Sequence, residues 1–244
     1  MHRKILFVAV ATIGSVTASG LGGFTVEAAP TWRGDANTAY YNWETFTSAD
    51  GYTDGPNFPG NVPGPPSGDA LLFNFGTNGP PSGPGWPGTG AVIASSGNIY
   101  GLSGQLNIHA YGYATAGNNI QDVVFNAATF GTTIDFDSVQ LALEFAGGGA
   151  QQISLAELGL INYTAEIPAP GPPGNVATVD NISWSYDLSG FSDVSAVGLI
   201  FTSDTTNMSL DAFSMDLRFA AIPSPGALAL FGLAGLAGRR RRRA

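Results

Sequence analysis

Apolar and polar residues alternate with a period of two along several stretches of the chain. Apolar residues share one face in five of them: Leu71, Phe73 and Phe75; Leu106, Ile108 and Ala110; Val139, Leu141, Leu143 and Phe145; Ile182, Trp184, Tyr186 and Leu188; Phe213, Met215, Leu217 and Phe219. This period is typical of antiparallel strands with one face on a core and the other toward water. No stretch has a convincing helical period, although residues 153–161 fit either a short helix or a strand.

The last stretch requires an interruption of the alternation. Met208 and Leu210 lie on the opposite parity from Phe213, so a bulge or bend near Asp211 is needed to bury all three. Gly/Pro-rich stretches separate the strands and are predicted to be long irregular loops. They comprise residues 55–68, 78–90 and 168–174. The sequence therefore predicts an all-β fold, an antiparallel β-sandwich that is jelly-roll-like.

The N-terminus has the pattern of a secretory signal peptide. A short positive segment precedes an apolar run at 5–13, which is too short to span a membrane stably. Small residues allow cleavage after Ala18 or Ala28, and we favour the second. The predicted organisation is a signal peptide at 1–28 and an extracellular domain at 29–222.

The C-terminus, residues 223–244, has three parts in a fixed order. Pro223-Ser224-Pro225 comes first, an apolar run to Gly238 follows, and five arginines precede the final alanine. Counted from Ile222, the run has 17 uncharged residues, at the lower limit for crossing a bilayer. The arginines would stay on the cytoplasmic side.

This order resembles the PEP-CTERM sorting signal of bacteria that produce extracellular polysaccharide. The resemblance covers the last 22 residues, and Ser224 replaces the glutamate usual between the prolines. The residues that carry it are Pro223, Pro225, Arg239, Arg240, Arg241, Arg242 and Arg243. The resemblance implies processing by an exosortase-type membrane enzyme, transient anchoring in the inner membrane through the C-terminal helix, and a final location at the cell surface, outer envelope or extracellular matrix.

The charge of the central domain excludes one class of partner. Residues 29–222 contain 17 Asp and Glu but only Arg33 and Arg218, so the formal charge is 2 − 17 = −15. Such a surface repels nucleic acid and suits a neutral or cationic matrix. There is no cysteine, so no disulfide stabilises the domain.

Catalytic motifs are sparse. His109 is the one histidine after the signal peptide, and no Gly-x-Ser-x-Gly motif is present. One chain cannot form a zinc site from several His or Cys ligands. We therefore expect no enzyme, although any two acids could meet as a glycosidase pair.

A sugar-binding surface is predicted on one strand. Amides and rings alternate there with apolar residues, and the set is Gln105, Asn107, His109, Tyr111 and Tyr113. Rings stack on the apolar face of a pyranose, and amides bond its hydroxyls. An ordinary solvated sheet face is the alternative.

Calcium is the one cofactor that the sequence suggests. Asp50 and Asp54 flank a turn, and Asp135 and Asp137 are two residues apart. Carboxylates are preferred calcium ligands, but no EF-hand loop is present, and solvated turns are the alternative.

Together these features predict an exported bacterial surface or matrix protein with a structural or adhesive role in exopolysaccharide. Two alternatives remain, a carbohydrate-binding module and a polysaccharide-active hydrolase.

Overall fold

The computed structural model describes residues 27–53, 56, 58–59, 67–76, 90–154, 161–168 and 176–221. Fourteen strands lie in these ranges, and the described residues contain no α-helix. The strands are β1 (Thr38–Trp43), β2 (Gly51–Tyr52), β3 (Phe58–Pro59), β4 (Ser67–Asn74), β5 (Val92–Ile93), β6 (Ile99–Tyr100), β7 (Asn107–Ala114), β8 (Asn118–Gly131), β9 (Ile134–Phe145), β10 (Ala150–Ser154), β11 (Ile161–Pro168), β12 (Val176–Asp187), β13 (Val194–Ser203) and β14 (Met208–Ala221).

The strands form two antiparallel sheets packed face to face. The eight-stranded sheet has the order β11-β12-β8-β14-β1-β3, with β6 also pairing β14 and β5 pairing β6. The six-stranded sheet has the order β10-β9-β13-β7-β4-β2. The predicted all-β sandwich is therefore confirmed.

The connectivity is that of a jelly roll. Strands β7, β8 and β9 alternate between the two sheets, and so do β12, β13 and β14. The central strands consequently run β1-β14-β8-β12 in one sheet and β7-β13-β9-β10 in the other, an arrangement of interlocked Greek keys.

Aromatic rings from both sheets fill the core. Phe213 lies at its centre, with ring centroids 5.9 Å from Trp43, 6.2 Å from Phe125 and 6.3 Å from Phe201. Trp184 stacks on Phe201 across the sandwich at 6.4 Å. All five rings are buried, so the parity predicted for β12 and β14 is confirmed.

The predicted bulge is also present. The pairing of β14 with β8 shifts register between Leu210 and Ala212, which leaves Asp211 as the extra residue. Met208, Leu210 and Phe213 are consequently all fully buried. One inserted residue resets the alternation of the strand.

Strand β4 is oriented opposite to the prediction, which placed its more apolar face toward the core. Leu71, Phe73 and Phe75 do share one face, but Leu72 and Asn74 are the fully buried residues. The more apolar face of β4 therefore points outward, onto the outer face of the six-stranded sheet.

An N-terminal strap, residues 27–35, crosses the outer face of the eight-stranded sheet. Arg33 donates from Nε and Nη2 to the two carboxylate oxygens of Asp216, both at 2.6 Å, and pairs with Glu27. Ala28 exchanges hydrogen bonds with the side chain of Asn126. Part of this face is thus covered, whereas the sequence predicted that water would cover it.

Candidate functional site

The outer face of the six-stranded sheet contains the predicted sugar-binding strand, β7. Leu106, Ile108 and Ala110 are fully buried on the inner side. The alternating residues Asn107, His109, Tyr111 and Tyr113 are half-buried on the outer side. The shared face predicted for these four is present, and its use in binding stays a prediction.

Gln105 does not lie on β7. It precedes the strand, and its Nε2 donates to the backbone oxygens of Ser203 and Asp204, at 3.2 and 2.9 Å. These bonds fix the start of β7 against the end of β13. We therefore assign Gln105 a structural role, which is to hold β7 in place beside β13.

Five rings form a continuous row on this outer face, which we call the aromatic row. It consists of Tyr52 on β2, Phe73 on β4, Phe75 just after β4, and His109 and Tyr111 on β7. Successive ring centroids are 5.6, 5.6, 4.7 and 6.4 Å apart. The row exists because Tyr52 pairs with Phe73 and Phe73 pairs with His109 in adjacent strands.

The rings are partly open to solvent. Tyr52 is 43% exposed, and the other four rings are half-buried. Phe73 and Phe75 are parallel to within 6°, and Phe75 meets the edge of His109 at 86°. Each ring is therefore held by its neighbours while part of its surface remains in water, a combination typical of recognition surfaces.

Tyr111 covers a glycine of the neighbouring strand. Gly198 on β13 is its register partner, and a Cβ placed on Gly198 would lie 2.4 Å from Cδ1 and 2.5 Å from Cε1 of the ring. Tyr111 can take this position only because Gly198 has no side chain. A glycine inside a central strand, otherwise unfavourable, thus sets the position of the ring.

His109 is a neutral member of the row. Burial lowers the pKa of His109 to about 4, so its imidazole is uncharged at neutral pH. Its Nε2 lies 3.0 Å from Oδ1 of Asn107. Because an amide oxygen only accepts hydrogen bonds, Nε2 carries the proton and Nδ1 is left as an acceptor.

Negative charge lies beside the two tyrosines. Ala196 on β13 pairs with Tyr113 on one side and Glu144 on the other. Burial raises the pKa of Tyr111, and Tyr113 and Glu144 raise it further. Burial likewise raises the pKa of Tyr113, together with Glu144. Both phenols are therefore neutral hydrogen-bond donors.

The two pairs of acids proposed for calcium, Asp50 with Asp54 and Asp135 with Asp137, are separate candidates, and their described members lie toward opposite ends of the six-stranded sheet. Asp50 precedes β2 and Asp135 lies on β9, four strand spacings or roughly 19 Å apart across the sheet. The Asp135 carboxylate accepts from the backbone N–H of Asp137 at 3.1 Å, which is a local contact within β9. Asp54 lies outside the described residues. Within those residues, no group of three or more His, Asp or Glu is placed to hold a metal.

Phe73, Phe75 and Tyr52 were missed as candidate site residues. Both parities of β4 are apolar at its centre, with Leu72 on one side and Phe73 on the other. The deciding residue is Asn74. Its Oδ1 accepts from the backbone N–H groups of Gly76 and Asn107, so Asn74 lies on the buried side of β4 and Phe73 on the outer side.

The sorting residues Pro223, Pro225 and Arg239 to Arg243 lie outside the described residues. Within the residues described, no helix is both long and apolar enough to cross a membrane.

No known family model matches the chain, and no curated protein matches it. Among solved structures, it is similar to the enzymatically active domain of tailspike protein 4 of bacteriophage CBA120, at 10% identity and a TM-score of 0.24. The alignment covers 76% of this chain and 19% of that chain. A likeness at this level carries no argument about fold or function.

Proposed function

We propose that the chain is an exported surface or matrix protein that holds extracellular polysaccharide on the outer face of its six-stranded sheet. The aromatic row is the observation that carries this proposal. Its partly exposed rings lie on strands whose inner sides are packed, so they are ordered before a ligand arrives. Binding then costs little side-chain entropy.

The chemistry of the face suits a sugar polymer. Stacking a ring against the C–H face of a pyranose removes apolar area from water on both partners. Next to the rings lie the amide of Asn107, the Nδ1 acceptor of His109 and the neutral phenols of Tyr111 and Tyr113. These groups offer the donors and acceptors that sugar hydroxyls need.

Export and display follow from the two ends of the sequence. The signal peptide would direct secretion, and the C-terminal signal would anchor the chain in the inner membrane until an exosortase-type enzyme processes it. Polysaccharide binding would then give the protein its structural or adhesive role in the matrix.

Removing the two tyrosines tests the binding step. We expect Tyr111→Ala with Tyr113→Ala to abolish retention on the polysaccharide of the producing cells. The melting temperature should fall by no more than about 4 °C, because ~1 kcal/mol shifts it by about 2–4 °C in a domain of this size. Tyr100→Ala is the matched control, since Tyr100 is half-buried on β6 of the other sheet.

Three results are distinguishable. Loss of retention in the double variant alone supports the proposal. Unchanged retention refutes it and favours an ordinary solvated face. Equal loss in the Tyr100 variant would place the binding surface elsewhere.

A further inference from the structure

The outer face of the six-stranded sheet has two halves with different chemistry. Strands β2, β4 and β7 carry the aromatic row, and strands β9 and β10 carry Gln140, Glu144 and Gln152. The register joins the halves, because residues that pair in adjacent strands form straight lines across the sheet. One such line is Tyr52, Phe73, His109, Ile200, Gln140 and Ser154.

A second line of paired residues runs beside the first and has small residues in its middle. It consists of Leu71, Tyr111, Gly198, Ala142 and Gln152. Gly198 lies under the Tyr111 ring and Ala142 carries only a methyl group, so no large side chain stands between the Tyr111 ring and the Gln152 amide. The distance across the six strands is roughly 24 Å at normal strand spacing.

The face has acids but no cation among the residues that the structure describes, and Asp135 lies on it in the register line of Asn107 and Thr202. Glu144 is exposed on its polar half, and His109 is neutral. The two arginines of the described ranges, Arg33 and Arg218, both pair with acids of the eight-stranded sheet, Asp216 and Asp122. Within the described ranges, the arginine side chains thus lie on the opposite side of the sandwich.

We propose that this face takes an uncharged polysaccharide lying across the strands, with sugar rings on the aromatic row and hydroxyls on Gln140 and Gln152, and that Glu144 excludes acidic polysaccharides. The inference rests on the proposed function and names its ligand class. A polyuronate would bring a carboxylate on every sugar beside Glu144, where no described cation compensates it.

Pairs of polymers that share a sugar backbone and differ in charge test the ligand class. The probes are hydroxyethyl cellulose against carboxymethyl cellulose, and methyl-esterified pectin against polygalacturonate, by affinity electrophoresis of the full chain at low salt. We expect the uncharged member of the retained pair to bind at least about tenfold more tightly. Stronger or equal binding of the charged member overturns the inference while leaving polysaccharide binding intact.

Glu144→Gln should strengthen binding of the charged member several-fold and leave the uncharged member nearly unchanged. The matched control is Asp187→Asn, which removes an exposed acid from the eight-stranded sheet. An equal effect of the control would mean that net charge alone decides, which also overturns the assignment to Glu144.

Two neighbouring glutamines test whether the polysaccharide lies across the strands. Gln152 pairs with Ala142 and lies on the outer face, whereas Gln151 pairs with the buried Leu143 and lies on the other parity. We expect Gln152→Ala to weaken binding of the uncharged polymer about fivefold, the loss of one hydrogen bond, and Gln151→Ala to have no effect. Equal effects refute the crossing direction. If wild-type protein retains neither member of either pair, nor the polysaccharide of the producing cells, both this inference and the proposed function fail.

Discussion

Arg33→Met is the substitution for which the structure makes the sharpest prediction. Arg33 holds both carboxylate oxygens of Asp216, whose side chain is 0% exposed. Burial raises the pKa of Asp216 to about 7, more than the Arg33 guanidinium lowers it. Removing the guanidinium leaves a buried carboxyl group with a higher pKa still.

The direction in which stability changes with pH follows from the pKa values of Asp216 and His109 in the wild-type protein. The pKa of Asp216 is about 7 in the folded protein against 3.8 for an unperturbed group. The folded state therefore binds more protons at this group between these values, and the contribution of Asp216 to stability falls by ~1.4 kcal/mol per pH unit from about pH 4 to about pH 7. His109 acts in the opposite direction, because its lowered pKa of about 4 makes stability fall as pH drops below 6.5.

The variant differs from the wild type above pH 7. There the wild-type carboxylate is ionised and its contribution no longer changes, whereas the variant continues to lose up to ~1.4 kcal/mol per pH unit until its own, higher pKa is passed. We expect the loss caused by Arg33→Met to be about 2–3 kcal/mol greater at pH 9 than at pH 6. The contribution of His109 cancels because it is common to both proteins.

Urea unfolding followed by tryptophan fluorescence measures the loss of unfolding free energy at pH 6 and at pH 9. The matched control is Arg218→Met, which breaks the pair with Asp122 on the same sheet. The Arg218 side chain is 38% exposed, so the loss should be within about 1 kcal/mol and equal at the two pH values. The same loss at pH 6 and pH 9 in the Arg33 variant would refute this account of Asp216.

Two further predictions concern the core and the tail. Trp184→Ala should cost about 3–5 kcal/mol of unfolding free energy, because the ring is 1% exposed and stacks on Phe201, and a loss below ~1 kcal/mol would contradict its packing. Replacing Arg239 to Arg243 with serine should change localisation or processing, because the arginines would hold the cytoplasmic end of a short apolar run; an unchanged mature mass and unchanged surface retention would refute this.

The strands of this fold were predictable where one parity is clearly apolar. In β9, Val139, Leu141 and Leu143 alternate with Gln140 and Glu144 and are buried as predicted, whereas Phe145 of the same predicted set is half-buried against the core. The Asp211 bulge was predictable too, because two apolar sets of opposite parity must both be buried within one strand.

The site was only partly predictable. The alternation in β7 placed His109 and Tyr111 on one face, but the aromatic row also depends on which strands are neighbours, and local sequence carries no information on that. Strand β4 was ambiguous because Leu72 and Phe73 are apolar on opposite sides. The strap was not foreseen, since its contact between Arg33 and Asp216 joins residues distant in sequence.

The position of β14 has a mechanical consequence. The strand lies inside the eight-stranded sheet, with β8 along one edge and β1 and β6 along the other, and the strap contacts it through Asp216 and Ser214. Tension applied to the chain beyond Ala221 would act along this strand, so the hydrogen bonds on both edges resist it together in shear. A terminal strand at a sheet edge would instead peel away one bond at a time. The jelly roll thus places the last described strand between two partners rather than at a sheet edge, where it would be paired on one side alone.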